Sequence, residues 1–402
     1  MFAINKKLIK LKYTMSKNLT TNLLIKLLII MPSLFISCSD TNSDFKIQNQ
    51  QNSSNSVLQT IREPSPQPVK ETVPEPVKEA VKEVIQKPKL QTKNPKKIFD
   101  NCILKDNNIE CIDLDYANTN NIRQTLNLWI PCKNKKVLED CMSDGSYEVI
   151  VHVHGGGFVA GQKRESPNIS LLNSGFAYAS INYRLGAEGL FPNFLHDQKA
   201  AIRWLRANEK NYNLTTESIG AYGNSAGGAS VGLLAATSGL QNYIINERSI
   251  NLEGNVGENL QYSSDIQAAA NFSGHSDAIK LTQQPTGAKP RVVVPNFLAA
   301  ISLITYLGEG IPMPHLIIHG DKDQVVYYEQ ALIYLNKLQE IYPNQTVEYN
   351  LITIENGGHG GWDPSVGQET NNILKNFFLR HIKNFTNIPE EKSRTLISKI
   401  TN

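Results

Sequence analysis

The sequence predicts an α/β domain, a mostly parallel sheet with helices on both faces. From Ile98 onward, apolar runs alternate with amphipathic stretches, the pattern left by strands joined through crossover helices. A segment spanning 98 to 385 is the right length for one such domain. The residues before it differ in composition and take no part in that alternation.

The chain opens on a targeting signature. Lys6, Lys7, Lys10, Lys12 and Lys17 precede a largely apolar stretch from Leu23 to Ile36, interrupted by Lys26 and ending in Phe35-Ile36-Ser37-Cys38. That stretch is short for a membrane span. Its end resembles a bacterial lipobox, in which a small residue precedes a cysteine that is lipidated and becomes the mature N-terminus. Phe35 stands where leucine is usual, and an ordinary secretory signal is the alternative. Met15 would give a tidier start. The expectation is a signal peptide over 1 to 38, lipidation at Cys38, and a folded body held at the bacterial cell envelope, facing the periplasm or the cell surface.

Residues 39 to 97 are polar and proline-rich, with Glu63-Pro64 and the run Glu71-Thr72-Val73-Pro74-Glu75-Pro76-Val77-Lys78-Glu79. Such a composition buries too little apolar surface to fold, and predicts a disordered, semi-extended tether with room for a short helix from Val77 to Gln86. Beyond Cys38 there are four cysteines, Cys102, Cys111, Cys132 and Cys141, clustered ahead of the residues that carry chemistry. An even, clustered set in an exported chain suggests two disulfides. Of the three connectivities, the local one is favoured, Cys102 with Cys111 and Cys132 with Cys141, each closing a loop of about ten residues. A zinc site is disfavoured, since neither pair has CxxC spacing and no histidine lies among them.

Within the domain, strands are expected at 109–116, 123–130, 147–154, 176–183, 217–223, 266–272, 314–319 and 346–354. Helices are expected at 193–209, 225–238, 324–341 and 366–383. Phe194, Ala201, Trp204 and Leu205 recur at helical spacing and read as core. Residues 386–402 read as a solvated tail. A formal net charge of +3 over 402 residues, with no arginine-rich stripe, argues against nucleic acid as a partner.

The strongest chemical signal is Gly223-Asn224-Ser225-Ala226-Gly227 between the strand-like Ile219-Gly220-Ala221-Tyr222 and a helix-like run from Gly228. A sharp strand-to-helix turn strains the serine backbone and leaves no room for side chains beside it, so the flanking residues are glycines. The turn would project the Ser225 hydroxyl above a helix N-terminus, which favours negative charge. A second signal is the apolar run Val149 to His154 leading into Gly155-Gly156-Gly157-Phe158. Backbone N–H groups can approach a substrate oxygen there with no Cβ in the way. Gly156, Gly157 and Ala226 are the candidate oxyanion donors, each worth about 2 to 4 kcal/mol in the transition state. His154 is expected to orient this loop and His152 to be a satisfied strand residue.

The acid follows a late strand, Pro314 to Gly320, in Asp321-Lys322-Asp323. Asp323 is preferred because the HGxxDxxV spacing fits an acid loop that follows a strand. Asp321 reads as a turn residue, and Asp323 could also cap a helix beginning at 324. Of the eight histidines, only His359 and His381 lie after this acid. His359 sits in Gly357-Gly358-His359-Gly360-Gly361, where a loop can carry an imidazole over the serine. His381 lies in a terminal amphipathic helix. Ser225, Asp323 and His359 are therefore the candidate catalytic residues.

Taken in order, His154-Gly155-Gly156-Gly157-Phe158, Asn182-Tyr183-Arg184-Leu185, Phe191-Pro192 with Asp197 and Trp204, Gly223 to Gly227, His319-Gly320 with Asp323, and Gly358-His359-Gly360 resemble the α/β-hydrolase fold. Residues 109 to 383 are similar to its hormone-sensitive-lipase-like and carboxylesterase group, near the bacterial feruloyl- or acetyl-esterase-like branch. The resemblance implies a serine carboxylic-ester hydrolase with no metal or cofactor, acting on a small-molecule ester, short-acyl or acetylated. It implies scaffold roles for Tyr183, Arg184 and Asp197. The long cap that many relatives carry before the HGGG loop has no counterpart, and 239–264 and 275–311 are expected to form the lid and pocket. An amide hydrolase such as an arylformamidase or a peptidase would use the same residues, and a non-catalytic binding module could keep the fold.

Overall fold

The computed structural model describes residues 101–133, 135, 137–141, 145–289 and 295–399. Cys38, the signal segment and the tether lie outside them, as does the short helix expected from Val77. The strands are β1 (Cys102–Lys105), β2 (Asn108–Asp115), β3 (Thr125–Pro131), β4 (Tyr147–Val153), β5 (Ala177–Ile181), β6 (Leu214–Asn224), β7 (Asn242–Ile245), β8 (Arg248–Asn251), β9 (Ala268–Phe272), β10 (His315–Gly320), β11 (Tyr349–Glu355) and β12 (Arg394–Ile397). The helices are α1 (Leu138–Cys141), α2 (Ile169–Asn173), α3 (Asn193–Ala207), α4 (Ala226–Ala236), α5 (Ala278–Gln283), α6 (Glu329–Ile341) and α7 (Pro364–His381).

Ten of these strands form one sheet in the order β1-β2-β3-β5-β4-β6-β9-β10-β11-β12. The first three pairings are antiparallel, and every pairing from β5 to β12 is parallel. This is the α/β-hydrolase architecture expected from the sequence. The central strands β4, β5, β9 and β10 are apolar almost throughout because both of their faces are covered. One core packs α3, α4 and α6 against the sheet through Val151, Leu205 and Leu233. The opposite face packs α7 through Ile150, Phe377 and Phe378.

Cys102 lies directly opposite Cys111 in the β1–β2 ladder, and the two are disulfide-bonded. Cys132, just past β3, is bonded to Cys141 at the end of α1. Both pairings are the local ones.

Three expectations need correcting. The segment 386–402 is not a plain solvated tail: Arg394–Ile397 adds as edge strand β12, and Arg394 pairs with Glu369 of α7 at 2.6 Å. Four alternating residues are too short a signal to read against a polar background. The helix expected from 324 begins only at Glu329, and its cap position, Tyr328, makes no side-chain cap bond. Asp323 instead accepts from the Val325 and Val326 N–H groups at 2.8 and 2.9 Å, closing a turn ahead of the helix. Trp204 is only partly buried, resting on Tyr212 at 5.4 Å between ring centroids, whereas Phe194, Ala201 and Leu205 are core.

The 239–264 insertion is clamped to α3 by a buried ion cluster. Glu253 accepts from Lys199 Nζ at 3.0 Å and from Ser264 Oγ at 2.7 Å, and pairs with Arg203. Burial lowers the Lys199 pKa, and the Glu253 charge works against that shift.

Candidate active site

β6 runs into α4 through Ser225, whose backbone sits at φ 57° and ψ −125°, a conformation that a non-glycine residue adopts only under constraint. The glycines beside it make the turn possible. A Cβ on Gly227 would lie 2.1 Å from the Val153 carbonyl oxygen, and one on Gly223 would lie 2.5 Å from the Gly227 carbonyl. The Ser225 N–H donates to the Phe272 carbonyl at 2.8 Å, which ties the turn to β9.

His359 lies on the loop between β11 and α7, and its Nε2 is 2.9 Å from Ser225 Oγ. Its Nδ1 is 2.6 Å from Asp323 Oδ2. An ionised carboxylate can only accept, so Nδ1 carries the proton and Nε2 is left to accept from the serine hydroxyl. The Asp323 side chain is fully buried, while the His359 side chain keeps 24% of its exposure and lines the cleft. The structure thus brings together the three residues expected from distant parts of the chain.

Burial alone would raise the Asp323 pKa. The hydrogen bonds from His319 and His359, with the turn amide of Val326, outweigh it and hold the carboxyl well below the ordinary range. His319 is the part of this arrangement that sequence reasoning did not assign. Its Nε2 lies 3.2 Å from Asp323 Oδ2 and 2.8 Å from the Val326 carbonyl. The His319-Gly320 motif at the end of β10 was the available signal. Asp321 is a turn residue, as expected, its Oδ1 accepting from the Asn356 N–H at 2.7 Å. His381 is bound to Glu348 at 2.8 Å, away from the serine.

The glycine loop after β4 packs onto the elbow. A Cβ on Gly155 would meet the Asn224 carbonyl at 2.7 Å and Ser225 Cβ at 3.2 Å. Gly156 and Gly157 both take positive φ, 114° and 61°. Among the described residues, their N–H groups meet no backbone acceptor, and neither does that of Ala226 in the first turn of α4. His154 supports the loop from below. Its Nδ1 lies 2.7 Å from the Gly155 carbonyl, and its ring stacks on Tyr183 at 4.4 Å. The Tyr183 hydroxyl donates to the His154 carbonyl at 2.8 Å. Next along the chain, the Arg184 guanidinium is locked onto fully buried Asp197 at 2.8 Å. His152 bonds Ser180 Oγ at 3.0 Å within the sheet.

A cleft of about 520 Å3 opens onto Ser225 and His359. Its lining includes Arg164, Asn168, Trp362, Thr370 and Asn371. Among the described residues, none of 239–264 or 275–311, expected to supply the pocket, lines this cleft. The first forms the β7–β8 hairpin and the Glu253 clamp, and the second carries α5 and two short 3-10 turns.

The BD-FAE family model matches residues 137–338, a stretch that includes the elbow and Asp323. Carboxylesterase 1C of Mus musculus is 30% identical over 173 residues, covering 37% of this chain and 31% of the mouse protein. The chain therefore spans under a third of that relative's length. A truncated carbohydrate esterase from gut microbiota superposes with a TM-score of 0.56 at 26% identity, covering 66% of this chain and 94% of the other. A bifunctional GH43-CE protein of Bacteroides eggerthii superposes with a TM-score of 0.57 at 28% identity, covering 69% and 36% respectively.

Proposed function

The chain belongs to the BD-FAE family of the α/β-hydrolase fold, and from that premise we propose that it is a serine carboxylic-ester hydrolase acting through an acyl-enzyme. The observation that carries this reading is the continuous hydrogen-bond chain from Ser225 Oγ through the His359 ring to Asp323. His359 Nε2 takes the serine proton as Oγ attacks the ester carbonyl. Asp323 holds the ring in the required tautomer and stabilises the imidazolium that forms. The oxyanion is met by the N–H groups of Gly156, Gly157 and Ala226, whose placement beside the elbow supports that role. His359 then protonates the departing alcohol, and water, activated in the same way, releases the acid.

Short-acyl esters, acetylated glycans among them, are the substrates this reading favours, given the carbohydrate esterase among the structural relatives. Lipidation at Cys38 would hold the enzyme at the cell envelope, and two disulfides suit an oxidising compartment. The test is an acyl-length series of nitrophenyl esters beside a formyl anilide. Acetyl to butyryl esters should turn over fastest, and Ser225→Ala should lower kcat by about a million-fold. Faster cleavage of the anilide would make the enzyme an amidase, and equal rates for native and Ser225→Ala protein would remove the mechanism.

A further inference from the structure

Among the described residues lining the cleft, only Arg164 carries a permanent charge. It is also held with care. Its N–H donates to Ser180 Oγ at 2.9 Å, and its carbonyl accepts from Asn127 Nδ2 at 2.9 Å. Its Nε donates to His152 Nε2 at 3.2 Å. Burial first, and the Arg164 charge second, push the His152 pKa well below its ordinary value, so this partner is neutral. Among the described residues no carboxylate pairs with Arg164. The guanidinium is thus fixed by one nitrogen, its charge uncompensated, with two terminal nitrogens left for the cleft. That fork matches a carboxylate.

Which half of the substrate lies there follows from the chemistry. His359 must give its proton to the departing alcohol oxygen, so the alcohol sits on the imidazole's side of Ser225. The cleft is walled on that side by Gly360, Trp362, Thr370 and Asn371. Asn371 and Asn168, 3.2 Å apart, add amide groups suited to hydroxyls.

We infer that the cleft binds the alcohol half of the ester and that this alcohol carries a carboxylate, which Arg164 recognises. An acylated acidic sugar has this chemistry. The inference rests on the esterase reading above and sharpens it.

The test compares two acetyl esters of equal shape, 3-acetoxybenzoate and 3-acetoxybenzamide, each kcat/KM divided by the ester's own hydroxide rate. Native protein should favour the benzoate by about tenfold or more, and added salt should erode the preference. In Arg164→Met the ratio should fall close to one, while Arg164→Lys should keep part of it. Phenyl hemisuccinate against phenyl butyrate places the acid on the acyl side instead, and no preference is expected there. Parity in the native protein, a preference that survives Arg164→Met, or one confined to the hemisuccinate would each overturn the inference. The native ratio and its salt dependence decide the matter even if the variants fold poorly. Failure of the esterase reading itself looks different: none of the four esters would show hydrolysis lost in Ser225→Ala.

Discussion

His319 Nε2 lies 3.2 Å from Asp323 Oδ2, so two imidazoles converge on one carboxylate oxygen, the other being His359 Nδ1 at 2.6 Å. His319 is fully buried, and the same nitrogen faces the Val326 carbonyl. The acid is therefore gripped from the sheet side before it orients His359. His319 acts as a positioning residue, reaching the serine only through Asp323.

His319→Leu should cost about 2 kcal/mol of stability near neutral pH, the worth of a hydrogen bond to a charged group. It should also lower kcat more than it raises KM. The pH dependence has a definite sign. The folded Asp323 pKa is depressed, so its ionised form adds stability above the unfolded value of 3.8, and that contribution is lost as pH falls through the folded value. The native-minus-variant difference in unfolding free energy should shrink below about pH 4. A difference that stays flat on acidification would contradict the two-imidazole grip.

Backbone crowding at the elbow gives a contrast between two glycines. Gly227→Ala would push a methyl group to within 2.1 Å of the Val153 oxygen and should destabilise by about 3 kcal/mol. Gly367→Ala in α7 meets nothing within 4 Å and should stabilise by about 0.5 to 1 kcal/mol. Denaturant midpoints of both variants check this, and equal shifts would refute the crowding.

The legible parts were those encoded locally. Gly223 to Gly227 dictates its own turn, and the HGGG run dictates a loop without side chains. Eight expected strands and four expected helices therefore lie close to the observed elements. His359 could be chosen because the chain order left only one alternative, His381, and that histidine sits on a helix paired with Glu348. What could not be read depends on partners far away in sequence. His319 meets Asp323 only after the turn closes, Arg164 faces the cleft only because Ser180 and His152 hold it, and β12 exists only by pairing with β11.

Each disulfide closes a short loop, and the loop entropy removed from the unfolded chain is worth about 2.5 kcal/mol. Non-reducing peptide maps should return Cys102 linked to Cys111 and Cys132 linked to Cys141. Replacing Cys102 and Cys111 together by alanine should lower stability by roughly that amount. Crossed linkages in the map would contradict the pairing.

Lipidation has an independent check in cells that process bacterial lipoproteins. Labelled palmitate should enter the wild-type chain and be absent from Cys38→Ala. Label retained in the variant would remove Cys38 as the anchor and leave an ordinary secretory signal.

The central claim, that Ser225 is a nucleophile activated by His359, is tested most directly by treating the protein with a fluorophosphonate and reading intact and peptide masses. One adduct on the peptide containing Ser225 is expected, absent from Ser225→Ala and formed far more slowly in His359→Ala. No adduct on the native protein, or one that persists in Ser225→Ala, would contradict it.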